Sequence, residues 1–166
     1  IETDLIEEFA AGAPDTVIMV DEAYFEFSNV TATGLIEDHT NVVVTRTFSK
    51  AFGLAGLRLG YVVASPEHAV EMHKVAGPYP VNSVALQAGL SVLENPADAQ
   101  QYAAEVMAEA KPLVEDFFSQ HGITFYPSSG NFILFKLPNA AAVYDPLYDR
   151  GILVRPHNKS GIEGTL

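Results

Sequence analysis

With 166 residues, no cysteine and a formal net charge of −12, the chain can bury one core but cannot build a disulfide framework or a thiolate metal site. That acidity repels phosphate backbones and anionic lipid, so neither nucleic acid nor a membrane is expected as a partner. Hydrophobic residues make up 48% of the chain, as in a folded globular domain, and no apolar run approaches the roughly 20 residues that span a bilayer; the expected compartment is the cytoplasm. The sequence opens on Ile1 and stops at Leu166 inside a polar stretch, so a piece of a longer chain is expected.

In chain order, residues 4 to 11 predict a helix with Leu5, Ile6 and Phe9 on one face, capped at Thr3 or Asp4 and closed by Gly12 and Pro14. Thr16 to Val20 is a short apolar run, predicting a strand buried on both faces of a parallel sheet. It ends in Asp21-Glu22-Ala23-Tyr24. Residues 28 to 41 predict a loop with a short helical turn. Asn41 to Thr47 predicts a second buried strand, and Leu57 to Ala64 a third. About nine residues separate these two, too few for a helical crossover, which predicts antiparallel neighbours.

Ser65-Pro66-Glu67 predicts a capped helix start, and Gly77-Pro78 its end. Asn82 or Ser83 caps the next helix, which runs to about Asn95-Pro96. From Asp98 a longer helix is predicted with Ala103, Val106, Met107, Ala110, Val114 and Phe117 on one side, kinked or restarted at Pro112 and ended by Gly122. Strands are predicted at residues 123–126, 131–135 and 151–155, with a short helix between the last two. These elements predict an α/β architecture with a mostly parallel sheet carrying an antiparallel strand, followed by a small α+β unit. The boundary is placed near residue 112, giving 1–111 and 112–166.

No His-Glu-x-x-His, GxGxxG or GxxxxGK[ST] occurs, and the five histidines are scattered at helix ends and loops. Lys and Arg number only 9, yet Arg46, Lys50 and Arg58 fall in one short stretch, pointing to a small anionic ligand. Asp21 and Lys50 follow strand ends that, in a parallel sheet, share the carboxyl edge where open α/β sheets bind ligands. Taken alone, Asp21 serves equally as a turn residue, Tyr24 as core and Lys50 as a solvated lysine. Arg58, between Leu57 and Leu59, reads as a partly buried guanidinium in need of an anion, either a structural carboxylate or a ligand phosphate. A lysine, an aspartate, a tyrosine and such an arginine around one cleft suit pyridoxal 5'-phosphate. Lysine forms a Schiff base with it, a carboxylate keeps its pyridine nitrogen protonated, and a phenol bonds its 3-oxygen.

Asp21-Glu22-Ala23-Tyr24 followed by Arg46-Thr47-Phe48-Ser49-Lys50-Ala51-Phe52-Gly53-Leu54-Ala55-Gly56-Leu57-Arg58-Leu59-Gly60-Tyr61 resembles the fold-type I pyridoxal-phosphate aminotransferases, and within them the histidinol-phosphate aminotransferases. The resemblance continues through Pro78-Tyr79-Pro80-Val81-Asn82, Ser129-Gly130-Asn131-Phe132 and Gly151-Ile152-Leu153-Val154-Arg155. It implies that Lys50 is the Schiff-base lysine, Asp21 the pyridine-nitrogen partner and Tyr24 the 3-oxygen partner. It also implies that Ser49, Arg58 and Thr47 hold the cofactor phosphate, and that Arg155 and Asn131 bind substrate.

The resemblance further implies amino-acid and keto-acid substrates, glutamate and imidazole acetol phosphate among them, and a homodimer whose neighbour the Tyr79 to Asn82 loop reaches. Residues 1–111 would be the second half of the cofactor-binding large domain and 112–166 an incomplete small domain. The family's N-terminal half and a carboxylate-binding arginine in a strand past Leu166 fall outside these residues, so the 166 residues alone are expected not to transaminate. An aromatic-amino-acid aminotransferase of the same family, and a non-catalytic pyridoxal-phosphate-binding effector domain of a transcription regulator, are the alternatives.

Overall fold

A computed structural model describes residues 1–157 and 160–166. The chain parts into two compact units, Ile1–Ala103 and Ala104–Leu166.

In the first unit a three-stranded sheet forms from β1 (Ile18–Asp21), β2 (Val42–Thr47) and β3 (Gly60–Val63), in that order across the sheet. β1 runs parallel to β2, with Ile18 opposite Val42 and Asp21 opposite Thr45; β3 is antiparallel to β2, with Thr47 opposite Gly60. The antiparallel pairing of β2 and β3 is the one their short connection predicts, and the parallel pairing of β1 with β2 agrees with the reading of the Thr16 to Val20 run as a parallel-sheet strand. Val42, Val43 and Val44 are fully enclosed, as expected of a β-branched central strand covered on two faces.

β1 departs from the expectation of two buried faces. Side chains alternate along a strand, so Ile18 and Val20 pack into the core while Met19 stays 65% exposed and Asp21 is exposed beside it. One core cluster joins Ile18 and Val20 to Ile6 and Ala10 of helix α1 (Thr3–Gly12), Ala32 and Ile36 of the β1–β2 connection, and Val42 and Val44. Only part of the predicted α1 face is used, because Leu5 and Phe9 point outward and Phe9 is 58% exposed. Its first residue is preceded by Glu2, which makes no side-chain cap, so neither Thr3 nor Asp4 plays that role. The buried Asn41 Nδ2 donates to the carbonyl oxygens of Ala10, Ala13 and Thr16 at 3.0–3.1 Å, tying the α1–β1 turn to the start of β2.

A short helix α2 (Phe25–Ser28) follows β1, and a 3-10 turn spans Thr33–Ile36. β3 is shorter than predicted, for Ala55–Leu57 form another 3-10 turn and Arg58 reverses the chain in a left-handed conformation (φ 57°, ψ 43°). Helices α3 (Pro66–Val75) and α4 (Ser83–Glu94) start as expected, with Ser65 Oγ accepting from the His68 amide and Asn82 Oδ1 from the Ala85 amide. A second cluster holds α4 on the loop after β2 through Phe48, Leu59 and Ala85. The fit is close at Gly89, where a Cβ would stand 2.5 Å from Leu59 Cδ2.

Helix α5 (Ala97–Glu105) runs on through a wide π turn at Val106–Ala110 into α6 (Lys111–Gln120), with Pro112 in the first turn of α6. The restart predicted from Pro112 is therefore present, and the π turn makes room for a residue that cannot donate to the turn before it. The extra residue in that turn moves the buried stripe by one position. Lys111 and Phe118 are buried where Ala110 and Phe117 were predicted, and Phe117 is 51% exposed.

In the second unit Phe118 packs on Phe125 and Phe135 (ring centroids 6.0 and 4.7 Å) of the antiparallel pair β4 (Thr124–Tyr126) and β5 (Leu134–Lys136). Helix α7 (Ala140–Tyr148), capped by Asn139, follows. The strand predicted at residues 151–155 does not form. Gly151 (φ 76°) and Ile152 instead fold back on α7 through their amides, which donate to the Tyr148 and Leu147 carbonyls. The neighbour of β5 is the end of the chain, where Phe135 and Leu166 exchange backbone hydrogen bonds at 3.2 and 2.9 Å.

Candidate active site

Parallel pairing sets the ends of β1 and β2 side by side. Asp21 closes β1 opposite Thr45, and the Glu22 amide continues the ladder to the Thr45 carbonyl at 2.9 Å. Asp21 Oδ1 accepts from the Ala23 amide (3.0 Å), an Asx turn that bends the chain off the sheet and leaves the carboxylate exposed. Tyr24, half-buried, precedes α2. The exposed Lys50 lies in the turn after β2, with its Nζ 5.1 Å from the centroid of the Tyr24 ring.

That turn is built by hydroxyls and glycines. Thr47 Oγ1 accepts from the Ser49 amide (3.1 Å) and donates to the Leu59 carbonyl (3.4 Å), while the Gly53 amide donates to the Lys50 carbonyl (3.0 Å) with Gly53 at φ 68°. Gly60 lets β3 approach β2, since a Cβ there would sit 2.9 Å from the Arg46 carbonyl oxygen. Lys50 also lines a cavity of about 420 Å³ together with Phe52, Val92, Asn95, Asp98 and Tyr102.

Arg58 is not the partly buried residue its apolar neighbours suggest. Because the chain turns at Ala55–Leu57, the side chain emerges exposed, and one guanidinium nitrogen donates to the Ala55 carbonyl at 2.9 Å. A non-glycine residue in the left-handed region carries strain, which marks positions where function and stability diverge. Asp21, Tyr24, Thr47, Ser49, Lys50 and Arg58 all belong to the first unit, whereas Asn131 and Arg155 belong to the second. Asn131 stands half-buried in the turn before β5; Arg155 is exposed in the irregular segment after α7.

Sequence reasoning passed over two charged residues. Glu22, beside Asp21, is buried and ion-paired with Arg46 of β2 at 2.9 Å. Burial works against the Arg46 charge, yet hydrogen bonding with Tyr61 and Glu22 outweighs it and holds the guanidinium above its ordinary range. A legible signal was the acid at a strand end in a chain with so few basic partners. In the second unit Lys111, 7% exposed, donates to the Ser128 carbonyl, to Ser128 Oγ and to the Gly130 carbonyl (the last two at 3.3 Å), with Glu115 3.7 Å away. It gathers the turn that carries Asn131.

The donor set at the sheet edge, an exposed primary amine, a carboxylate, a phenol, a hydroxyl and a guanidinium beside glycine-lined backbone, fits an anionic aromatic aldehyde such as pyridoxal phosphate. Residues 3–166 match the family Aminotransferase class I and II. The chain belongs to this family.

Curated members of the aminotransferase family resemble it over most of its length. The histidinol-phosphate aminotransferase of Symbiobacterium thermophilum is 38% identical over 164 residues, covering 97% of this chain and 45% of that protein. Its counterpart in a Thermoanaerobacter species is 42% identical over 151 residues, covering 90% of this chain and 43% of that protein. Among solved aminotransferases, the histidinol-phosphate aminotransferase of Sinorhizobium meliloti in complex with pyridoxal-5'-phosphate is 25% identical with a TM-score of 0.87, covering 99% of this chain and 47% of that one. The chain thus spans about half the length of the relatives it matches, and its fold is that of fold-type I aminotransferases. Among the described residues no helix is long and apolar enough to cross a membrane.

Proposed function

We propose that the complete protein bearing these residues is a pyridoxal-phosphate-dependent histidinol-phosphate aminotransferase, exchanging an amino group between L-glutamate and imidazole acetol phosphate. What supports this reading is Lys50 Nζ standing 5.1 Å from the centroid of the Tyr24 ring, with Asp21 closing β1 in parallel register with β2, in a chain 38–42% identical to enzymes of that name.

Bound pyridoxal phosphate supplies an electron sink for charge developing at the amino acid's α-carbon. Asp21 keeps a proton on the pyridine nitrogen, and Tyr24 hydrogen-bonds at the 3-oxygen. Lys50 would hold the cofactor through its amine and would be the base that moves the proton at the α-carbon. Ser49 and Arg58 hold the phosphate, with Thr47 fixing the turn beneath Ser49. Asn131 and Arg155 contribute to the substrate side, Arg155 toward the substrate's phosphate. Residues 1–111 act as half of the cofactor-binding domain and 112–166 as part of the small domain. The protein works as a cytoplasmic homodimer, and these 166 residues by themselves do not transaminate.

Borohydride reduction of the complete protein loaded with pyridoxal 5'-phosphate, then peptide mapping, tests the site: the label is expected on Lys50, and a label on another lysine overturns the assignment. Assay with histidinol phosphate against phenylalanine tests the substrate. Preference for phenylalanine would replace the first choice with an aromatic aminotransferase.

A further inference from the structure

Between Asp21 and Tyr24 sits a residue whose side chain turns away from the cofactor edge into the protein. Glu22 is 5% exposed at its side chain, and its carboxylate is saturated. It accepts from the Ala32 amide at 2.6 Å, from Thr31 Oγ1 at 2.9 Å and from Arg46 Nε at 3.0 Å, and a terminal guanidinium nitrogen of Arg46 is ion-paired with the same Oε2 at 2.9 Å. The same terminal nitrogen donates to Thr31 Oγ1 at 2.9 Å, and the guanidinium lies 3.6 Å over the ring of Phe25, the residue after Tyr24.

A charged pair buried this way is a poor device for stability, because desolvation offsets most of its attraction and apolar residues of like volume replace such pairs at little or no loss. What an apolar pair lacks is direction. Arg46 holds Glu22 Oε2 through Nε and Thr31 Oγ1 through its terminal nitrogen, which fixes the guanidinium against two points of the β1–β2 connection, and the stacked Phe25 fixes the far end of the same corner. Arg46 itself stands in β2 between Thr45, the partner of Asp21 across the sheet, and Thr47, which opens the turn that carries Lys50.

We propose that Glu22 and Arg46 are a positioning pair for the pyridoxal-phosphate site. The pair locks the Asp21 to Tyr24 corner to β2, and so sets where the carboxylate and the phenol stand relative to Lys50. This inference rests on the cofactor reading above.

The test uses the complete protein and pyridoxal 5'-phosphate, with the double variant E22M/R46M, which keeps volume and removes direction. The apoprotein melting temperature is expected to stay within a few degrees of wild type. The dissociation constant for the cofactor, read by absorbance titration, is expected to rise at least tenfold, as loss of oriented charge-assisted bonds implies. The pH midpoint of the bound cofactor's absorption is expected to move as well. Wild-type affinity and an unmoved midpoint in E22M/R46M overturn the proposal. Should that variant not fold, Thr31→Val removes only the hydroxyl shared by the pair; a cofactor affinity loss with an unchanged apoprotein melting temperature supports positioning, and no loss overturns it. If wild-type protein takes no borohydride-stable label on Lys50, the cofactor reading itself fails, an outcome distinct from equal binding by wild type and variants.

Discussion

The ammonium of Lys50 lies 5.1 Å from the centre of the Tyr24 ring, although the two residues belong to connections after different strands. An exposed cation over an aromatic face gains about 0.5–1 kcal/mol, too little to hold either residue there. Their meeting is set by the parallel pairing of β1 and β2, and the lysine remains free to be captured by an aldehyde. Lys50→Ala in the complete protein should therefore leave the melting temperature of the apoprotein nearly unchanged. It should abolish covalent cofactor attachment and lower kcat by roughly 10²–10⁴-fold or more. Borohydride trapping and steady-state assay check both.

Arg58 opposes stability to function. Its left-handed backbone (φ 57°, ψ 43°) costs a non-glycine residue on the order of 1–2 kcal/mol. Arg58→Gly should raise the melting temperature by a few degrees while weakening pyridoxal 5'-phosphate binding roughly tenfold through loss of a charge-assisted contact. Calorimetry and cofactor titration on one preparation read the two effects; a variant both stabler and equally tight would remove Arg58 from the phosphate site.

Lys111 should matter to folding more than its surface-seeking residue type suggests. Lys111→Ala leaves the Ser128 carbonyl without its Lys111 donor, takes one of two donors from the Gly130 carbonyl and removes the ion-pair partner of Glu115, a loss of roughly 2–4 kcal/mol. Urea denaturation of the complete protein should show it. Adding Ala110→Lys should not restore it, since position 110 faces outward.

Glu26, in α2, is held above the usual carboxylate range by burial, despite the opposing pull of its own backbone bond and of Arg46. A raised folded pKa means that the folded state binds the proton more tightly than the unfolded one. Stability from this group is full below its unfolded pKa and is lost as pH rises through the folded value. Glu26→Gln should thus gain stability over wild type as pH climbs from about 4 to 7. Melting temperatures across that range check the sign, and a difference that shrinks with pH would contradict it.

Much of this site was legible in the chain itself. Apolar runs too short for helices, broken by Asp21 and by the Ser49-Lys50 turn, mark strands whose ends carry chemistry, and the short β2–β3 connection dictates an antiparallel pair. The cap at Ser65 and the restart near Pro112 follow from local backbone chemistry. The misses have a common source in longer-range contacts. One added residue in the π turn rotates everything after it on the α6 face, burying Lys111 and Phe118 and exposing Phe117. The run at residues 151–155 has strand composition, yet among the described residues the place beside β5 is taken by Leu166.

The sequence by itself determined the family and the antiparallel pairing of β2 with β3, and singled out Lys50 as the candidate lysine, because these depend on residue type, spacing and hydrogen bonds within a few positions. Only the tertiary structure decided that Glu22 turns inward to Arg46 while Asp21 next to it turns out, that Arg58 is exposed on a strained turn, and that a lysine is the buried hub of the second unit. Burial and pairing are properties of what lies across the sheet or on the next helix, and no local pattern encodes them.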